Sequence, residues 1–338
     1  MASETWFSRR RLLQSGVALG TLALAGCSGG GSTPTTTNKR FRTQPEPANT
    51  PTPTETPPEY TTVDDATPTA SMGEVVADEK LALVVLQKQV KTKSDKTRIW
   101  LDTQIRNRTS GEYLTFKNMR SYLTNSEGKQ YLRRLTASDR GAEVYDEELA
   151  PGELAWSNLL YAGSGSASMD HAVFTFDSPA ISFDEVRIDL SKTSKPVATL
   201  ENHLDVVTHN VGETVTESGL AVTVEGVDVR QQIKGANSPG KHKVFVIPSL
   251  KIENTGEEAR TIRTHYQTSL KDGHGRAFGI DDSARQALSD GFDRKKQIAP
   301  GHTRTGTLPF VTPSSVGSLD FVFDFSINFG GFRRFWSL

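Results

Sequence analysis

Lys243-Val-Phe-Val-Ile-Pro-Ser-Leu-Lys-Ile-Glu-Asn-Thr-Gly-Glu257 decides the fold class of this chain. It is rich in β-branched and aromatic residues, alternates apolar with polar positions at its end, and stops at an Asn-Thr-Gly turn. That is the pattern of a half-buried antiparallel strand. The same pattern recurs in Leu81-Ala-Leu-Val-Val-Leu86, Arg98-Ile-Trp-Leu-Asp-Thr-Gln-Ile105 and Leu319-Asp-Phe-Val-Phe-Asp-Phe325. Turn residues separate such runs at intervals of about ten, the spacing of sandwiches and barrels. Helical periodicity is confined to a short stretch, 282–292. The chain is expected to be all-β.

The strands come in two sets. Ile105-Arg-Asn-Arg-Thr-Ser-Gly-Glu112 lines up with Ile252-Glu-Asn-Thr-Gly-Glu-Glu258, each a strand closing on an Asn/Gly turn. Tyr122-Leu-Thr-Asn-Ser-Glu-Gly-Lys-Gln-Tyr131 lines up with Ser269-Leu-Lys-Asp-Gly-His-Gly-Arg-Ala-Phe278, two hairpins with polar Gly turns. Leu149-Ala-Pro-Gly-Glu153 matches Ile298-Ala-Pro-Gly-His302, and Phe176-Asp-Ser-Pro179 matches Phe310-Val-Thr-Pro313. The offsets are 147, 147, 149 and 134 residues, and the last implies a loop inserted across Ala162–His171 of the first copy. Two tandem domains follow, 73–200 and 201–338, each large enough for its own core.

Gly212-Glu-Thr-Val215, Gly219-Leu-Ala-Val-Thr-Val-Glu-Gly-Val227, the Glu-Asn-Thr-Gly-Glu turn, the Lys271-Asp-Gly-His-Gly275 hairpin, the Pro-Gly turn and Phe310-Val-Thr-Pro313 together resemble a known family. It comprises exported domains of unknown function related to mycobacterial secreted immunogenic proteins. The resemblance implies an immunoglobulin-like antiparallel β-sandwich for each copy, complete in the second and degraded in the first. It brings no catalytic residues. The motifs it rests on are turn signatures: Pro fixes φ and Gly accepts φ > 0, which shapes a backbone and implies no reaction.

The N-terminus is of another kind. Arg9 and Arg10 stand before a short apolar run, Val17 to Ala25, which is too short for a membrane span of about 20 residues. The run ends in Leu24-Ala-Gly-Cys27. This resembles a twin-arginine export signal with a lipobox, as in lipoproteins of salt-loving archaea. It implies cleavage of 1–26, lipid on Cys27, and anchoring to the outer face of the cytoplasmic membrane. With Cys27 lipidated, the chain's single cysteine leaves no disulfide and no thiolate for a blue-copper centre. Residues 28–72 contain 13 Thr and 8 of the 16 prolines, so the segment 27–72 is read as a disordered stalk. Loss of 1–26 leaves 36 basic and 39 acidic residues, a balance that gives no reason to expect nucleic acid as a partner.

The search for chemistry returns little. The seven histidines show neither a His-x-His nor a His-Glu-x-x-His spacing. His274 with Asp281 and Asp282 is the one cation candidate, weighed against a solvated hairpin turn. Gly163-Ser-Gly-Ser-Ala-Ser168 lacks the order of a nucleophile elbow. Asn107-Arg-Thr109 is a glycosylation triplet on an expected surface turn. Phe332, Arg333, Arg334, Phe335 and Trp336 follow a Gly-Gly break and are a candidate docking tail for a partner, since aromatic residues and Arg are enriched at binding hot spots. The expectation is a lipid-anchored, non-enzymatic surface protein without catalytic residues, resident metal or cofactor. It would bind an unknown envelope protein or a small ligand. The alternatives are an accessory or solute-capturing subunit of an envelope transporter or secretion system, and a hydrolase with a metal site assembled from loops.

Overall fold

Each apolar alternation becomes a strand, and the strands pair as two copies of one topology. The computed structural model describes residues 61–62, 69–93, 96–115, 120–125, 128–133, 148–164, 169–175, 185–195, 200, 205–326 and 333–338. The first copy opens with β1 (Thr61–Thr62), β2 (Thr69–Met72), β3 (Val75–Ala77), β4 (Leu81–Lys93) and β5 (Lys96–Asn107). It continues with β6 (Leu114–Thr115), β7 (Arg120–Asn125), β8 (Gln130–Leu132) and β9 (Glu148–Leu149). β10 (Leu154–Ser164), β11 (Met169–Thr175) and β12 (Glu185–Thr193) complete it.

The second copy opens with β13 (Thr208–Asn210), β14 (Thr214–Glu217), β15 (Leu220–Arg230), β16 (Lys243–Asn254) and β17 (Arg260–Ile262). Next come α1 (Thr264–Gln267), β18 (Thr268–Asp272), β19 (Ala277–Phe278), α2 (Asp282–Ala287) and β20 (Lys296–Ile298). β21 (Thr303–Thr307), β22 (Phe310–Pro313), β23 (Leu319–Asp324) and β24 (Arg333–Ser337) close the chain.

The sheet orders are the same in both copies. β2-β12-β11-β7-β8 corresponds to β13-β24-β23-β18-β19, and β3-β4-β5-β10 to β14-β15-β16-β21, with β1 added at the edge of the first. Two-stranded β6-β9 corresponds to β17-β20. In each copy the inward side chains of the two large sheets form one core. In the first it includes Leu83, Ile99, Leu101, Leu123, Tyr161, Phe174 and Ile188. In the second it includes Val222, Leu250, Ile252, Leu270, Phe310, Phe321, Phe323 and Trp336. Burying an aromatic or branched side chain of this size contributes about 1.5–3 kcal/mol, so either core is substantial.

The structure corrects the repeat in three places. The stalk reading of 27–72 runs too far: Ala70 and Met72 are buried in the first core, and β2 pairs in parallel with β12. Both copies also open on one device. Gly73-Glu74-Val75-Val76 repeats Gly212-Glu213-Thr214-Val215, with positive φ at Gly73 and Gly212 and the Glu carboxylate accepting the amide of Ser71 or Asn210.

The third correction concerns the match of Phe176 with Phe310, which is not a structural equivalence. Phe310 lies in β22, which pairs with β16 as β10 pairs with β5. The counterpart of Ala172 on β11 is Phe321 on β23, 149 residues on, and that of Ile188 on β12 is Trp336 on β24, 148 on. The offset therefore holds to the C-terminus. Ala162 to Ser164 belong to β10 and Met169 to His171 to β11, so these residues are ladder positions of the shared fold. What differs is continuity. β10 runs unbroken opposite Leu101, whereas Pro248 stands at that position of β16 and its partner breaks at Leu308-Pro309 into β21 and β22. Proline supplies no ladder donor.

Candidate functional site

The outward face of β18-β23-β24 carries Ser269, Lys271, Asp320, Val322, Arg333 and Phe335, because their neighbours Leu270, Phe321 and Trp336 point into the core. Alternation would leave this face to water, yet all six residues are buried. The first sandwich covers it. Val322 and Phe335 pack with Ala150, with Tyr113 and Val206 alongside. Glu153, fully buried on the Ala150-Pro-Gly-Glu153 turn, meets the Lys271 ammonium and, at 3.1 Å, the Arg333 guanidinium. Its other oxygen accepts the Ala150 amide at 2.8 Å, and Arg333 also donates to the Glu148 carbonyl at 2.9 Å. Burial pushes the Glu153 carboxyl up, but the charges of Arg333 and Lys271 outweigh it and hold the group below the ordinary carboxylate range. Gly152 makes the turn possible: its φ is +76°, and a Cβ would lie 1.9 Å from the Asp205 carbonyl oxygen.

A second contact lies beside the first. The Asp272–Arg276 hairpin sits on the free edge of β10, where the Trp156 amide donates to the Gly275 carbonyl at 2.9 Å. Trp156 meets His274 edge-on at 6.4 Å and carries the Arg276 guanidinium 5.0 Å over its ring. Arg276 is held in turn by Asp272 at 2.9 Å.

Between these walls opens a cleft of about 410 Å³, floored by Asp102, Trp156 and Asn158 of the first sandwich. The second sandwich supplies Lys243, Arg276, Phe278, Ile280, Asp281, Val311 and Pro313. Asp102 and Asn158 face each other across β5 and β10 and point outward, since Leu101 and Leu159 lie in the core. The Asn158 side-chain oxygen is buried without a hydrogen-bond partner. Burial alone raises the Asp102 carboxyl above its usual range. A second cleft, of about 430 Å³, is lined by Arg106, Arg108, Thr109 and Asp205, but its polar groups are engaged: Arg108 donates to the Asp78 carbonyl and Thr109 to Asn107.

The residues singled out in the sequence fall in different places. Arg9, Arg10, Cys27 and Phe332 lie outside the described residues. Arg333, Arg334, Phe335 and Trp336 do not form a free docking tail. They are β24, the last ladder strand. Trp336 is fully buried, donating its indole N–H to the Glu213 carbonyl at 3.1 Å, and Phe335 is buried at the contact with the first sandwich. Arg334 donates to the Tyr113 hydroxyl at 3.0 Å and pairs with Glu217. The tail docks, but onto its own chain.

Asn107 is corrected as well. It is fully buried, its amide donating to the carbonyls of Glu112 and Leu149 at 2.8 and 2.9 Å, so the folded chain offers no free amide to a glycan. Thr109 stands two residues on because its amide and hydroxyl donate to the Asn107 oxygen. Asn254 repeats the role, donating to the carbonyls of Glu258 and Ile298. His274 and Asp281 do not converge on a cation. His274 meets Trp156 edge-on, Asp281 caps α2 through the Ala284 amide, and Asp282 pairs with His265, Arg285 and Arg294. Among the described residues no three His, Cys, Asp or Glu side chains are grouped to hold a metal, and no helix is long and apolar enough to cross a membrane.

Sequence reasoning did not find Glu153, Lys271 and Asp102. A signal existed for the first two: the repeat puts His302 and Thr124 at the equivalent positions, so the copies differ where they meet. The chain is similar to the yjhA protein of Bacillus subtilis (18% identity, 39% of this chain and 99% of that one, TM-score 0.31). It is also similar to the secreted protein MPT63 of Mycobacterium tuberculosis (14%, 39% and 97%, 0.28) and to an uncharacterised β-sandwich protein of Clostridium difficile (13%, 40% and 97%, 0.27). A search of curated proteins found no match. Residues 209–333, nearly the whole second sandwich, match the family model described as a domain of unknown function, DUF4352.

Proposed function

We propose that this chain is an exported, lipid-anchored surface protein that works by binding a small solute, without catalysing a reaction. The anchor rests on Arg9, Arg10 and the lipobox ending in Cys27; the Thr/Pro-rich segment then spaces the sandwiches from the membrane. The observation that carries the binding reading is the cleft of about 410 Å³ where the sandwiches meet. Its size is that of small-molecule pockets, about 300–1,000 Å³, and junctions between domains are their usual site. The buried Glu153–Lys271–Arg333 contact fixes its walls, so little ordering cost falls on the ligand. The cleft favours solute capture over a purely scaffolding role.

The test is native mass spectrometry of the chain purified from its own cells, with cell fractionation alongside. A small molecule retained at one per chain supports the reading. An empty cleft that takes up nothing from a metabolite extract refutes it. Cys27→Ser should move the protein from the membrane fraction to the medium, and if it stays with the membrane the anchor is wrong.

A further inference from the structure

We infer that the cleft takes a zwitterion of amino-acid type with an apolar side group: ammonium on Asp102 and Asn158, carboxylate on Lys243, side group against Phe278 and Val311. This rests on the binding reading above and adds the ligand's chemistry. It comes from separating the polar groups of the cleft that are engaged from those that are not. Arg276 is committed to Asp272 and to the face of Trp156, and Asp281 to the cap of α2. Three groups are left over. Among the described residues the Asp102 carboxylate has neither an ion pair nor a hydrogen bond, the Asn158 oxygen is buried and unpartnered, and the Lys243 ammonium has no acidic partner.

Two adjacent acceptors on the floor, fixed opposite each other in one ladder, suit a group with several N–H donors. Lys243 begins β16 opposite Pro313, on the wall contributed by the second sandwich, and suits an anion. One free negative and one free positive charge on opposite walls match a ligand of zero net charge with separated charges. A simple amine or a simple acid would leave one of these half-buried charges without a partner in the closed complex. Phe278, Ile280, Val311 and Pro313 supply apolar surface that these charges do not need.

The test is calorimetric titration of the purified full chain with L-phenylalanine and L-leucine, beside phenethylamine and 3-phenylpropionate. Saturable binding of at least one amino acid is expected. Both single-charge analogues should bind about tenfold or more weakly, as should the amino acid to Asp102→Asn and to Lys243→Met. Asn158→Leu serves as a third variant that removes the side-chain amide and leaves the charges of the cleft unchanged, and unchanged thermal midpoints show that all three fold. Equal binding of amine, acid and amino acid, or wild-type affinity in the variants, overturns the zwitterion. If native mass spectrometry finds a different molecule whose binding Asp102→Asn abolishes, the ligand class falls and the binding reading stands. If no molecule binds, both fall.

Discussion

Replacing Glu153 by Gln is the sharpest perturbation of the contact between the sandwiches. The side chain keeps its volume, so no cavity opens and the change is one of charge. Glu153 is fully buried and serves Lys271, Arg333 and the Ala150 amide at once. The amide variant can still accept from Ala150 or from one cation. It leaves the Lys271 ammonium, almost wholly shielded from water, without its counter-charge, whereas Arg333 retains the Glu148 carbonyl. Removing one partner of a buried pair costs about 3–5 kcal/mol, and the survival of the Arg333 bond puts this case near 3–4. That is a large part of a typical domain's stability, about 5–15 kcal/mol.

Urea unfolding of Glu153→Gln against wild type reads the loss, and hydrogen exchange at the Trp156 amide reports where it falls. That amide is bonded to Gly275 across the contact and should exchange faster well before the cores open. The triple replacement of Glu153, Lys271 and Arg333 by Met should recover most of the loss, because no lone charge then stays buried. A loss below about 1 kcal/mol with unchanged exchange at Trp156 would refute a dry, closed contact. Acid should act as the substitution does. The Glu153 carboxyl is held below its ordinary value of 4.5, so its contribution is complete above that pH and disappears as the pH falls through the lower folded value.

Asp320, on the same covered face, behaves oppositely. Burial raises its carboxyl to about 6 from 3.8, so its part of the stability is complete below 3.8 and is lost as the pH rises through about 6. Asp320→Asn should flatten that slope and gain about 1 kcal/mol at pH 7.5, allowing for the water that still reaches the group; thermal midpoints from pH 4 to 8 that stay parallel to wild type would contradict this. Gly152→Ala should cost about 2–4 kcal/mol, against about 1 for Gly128→Ala, which has the same sign of φ but open space around it; equal midpoints for the two would remove the close approach to Asp205. Peptide mapping of the native protein should show Asn107 unmodified, and Asn107→Ala and Asn254→Ala should each cost about 2–3 kcal/mol in denaturant; a glycan on Asn107 would disprove its burial.

The all-β fold was legible because its determinants are local. Asn107 and Asn254 close equivalent strands with equivalent hydrogen bonds, and the Leu/Ile-Ala-Pro-Gly turns recur for backbone reasons. What was misread came from trusting residue identity over strand count. Phe176-Asp-Ser-Pro179 looks like Phe310-Val-Thr-Pro313, yet the two occupy different places. The near-constant offset through Leu123 and Leu270, Ala172 and Phe321, Ile188 and Trp336 makes 333–337 the counterpart of β12, a ladder strand and not a docking tail. The cleft was not legible, since period two gives a strand two faces without saying what covers the outer one. Asp102 and Asn158 read as ordinary outward polar residues until the second sandwich is placed beside them.

The two copies are also complementary where they meet. A head-to-tail contact between repeated domains propagates if every copy carries both mating surfaces. Here each copy carries one. The turn that inserts is Ala150-Pro-Gly-Glu153; its equivalent in the second copy ends in His302, which is exposed and could not neutralise a buried cation pair. The receiving face is Lys271, Arg333 and Phe335; the first copy has Thr124, Glu185 and Arg187 there, with Arg187 exposed. A turn like that of the first copy would meet Glu185 with its own Glu153, carboxylate against carboxylate, on a face lacking the Phe335 anchor. The two copies thus keep the same sheet orders and differ at four positions of the contact, which fits one to the other. The same difference makes the cleft an asymmetric site, with a floor from one copy and a wall from the other.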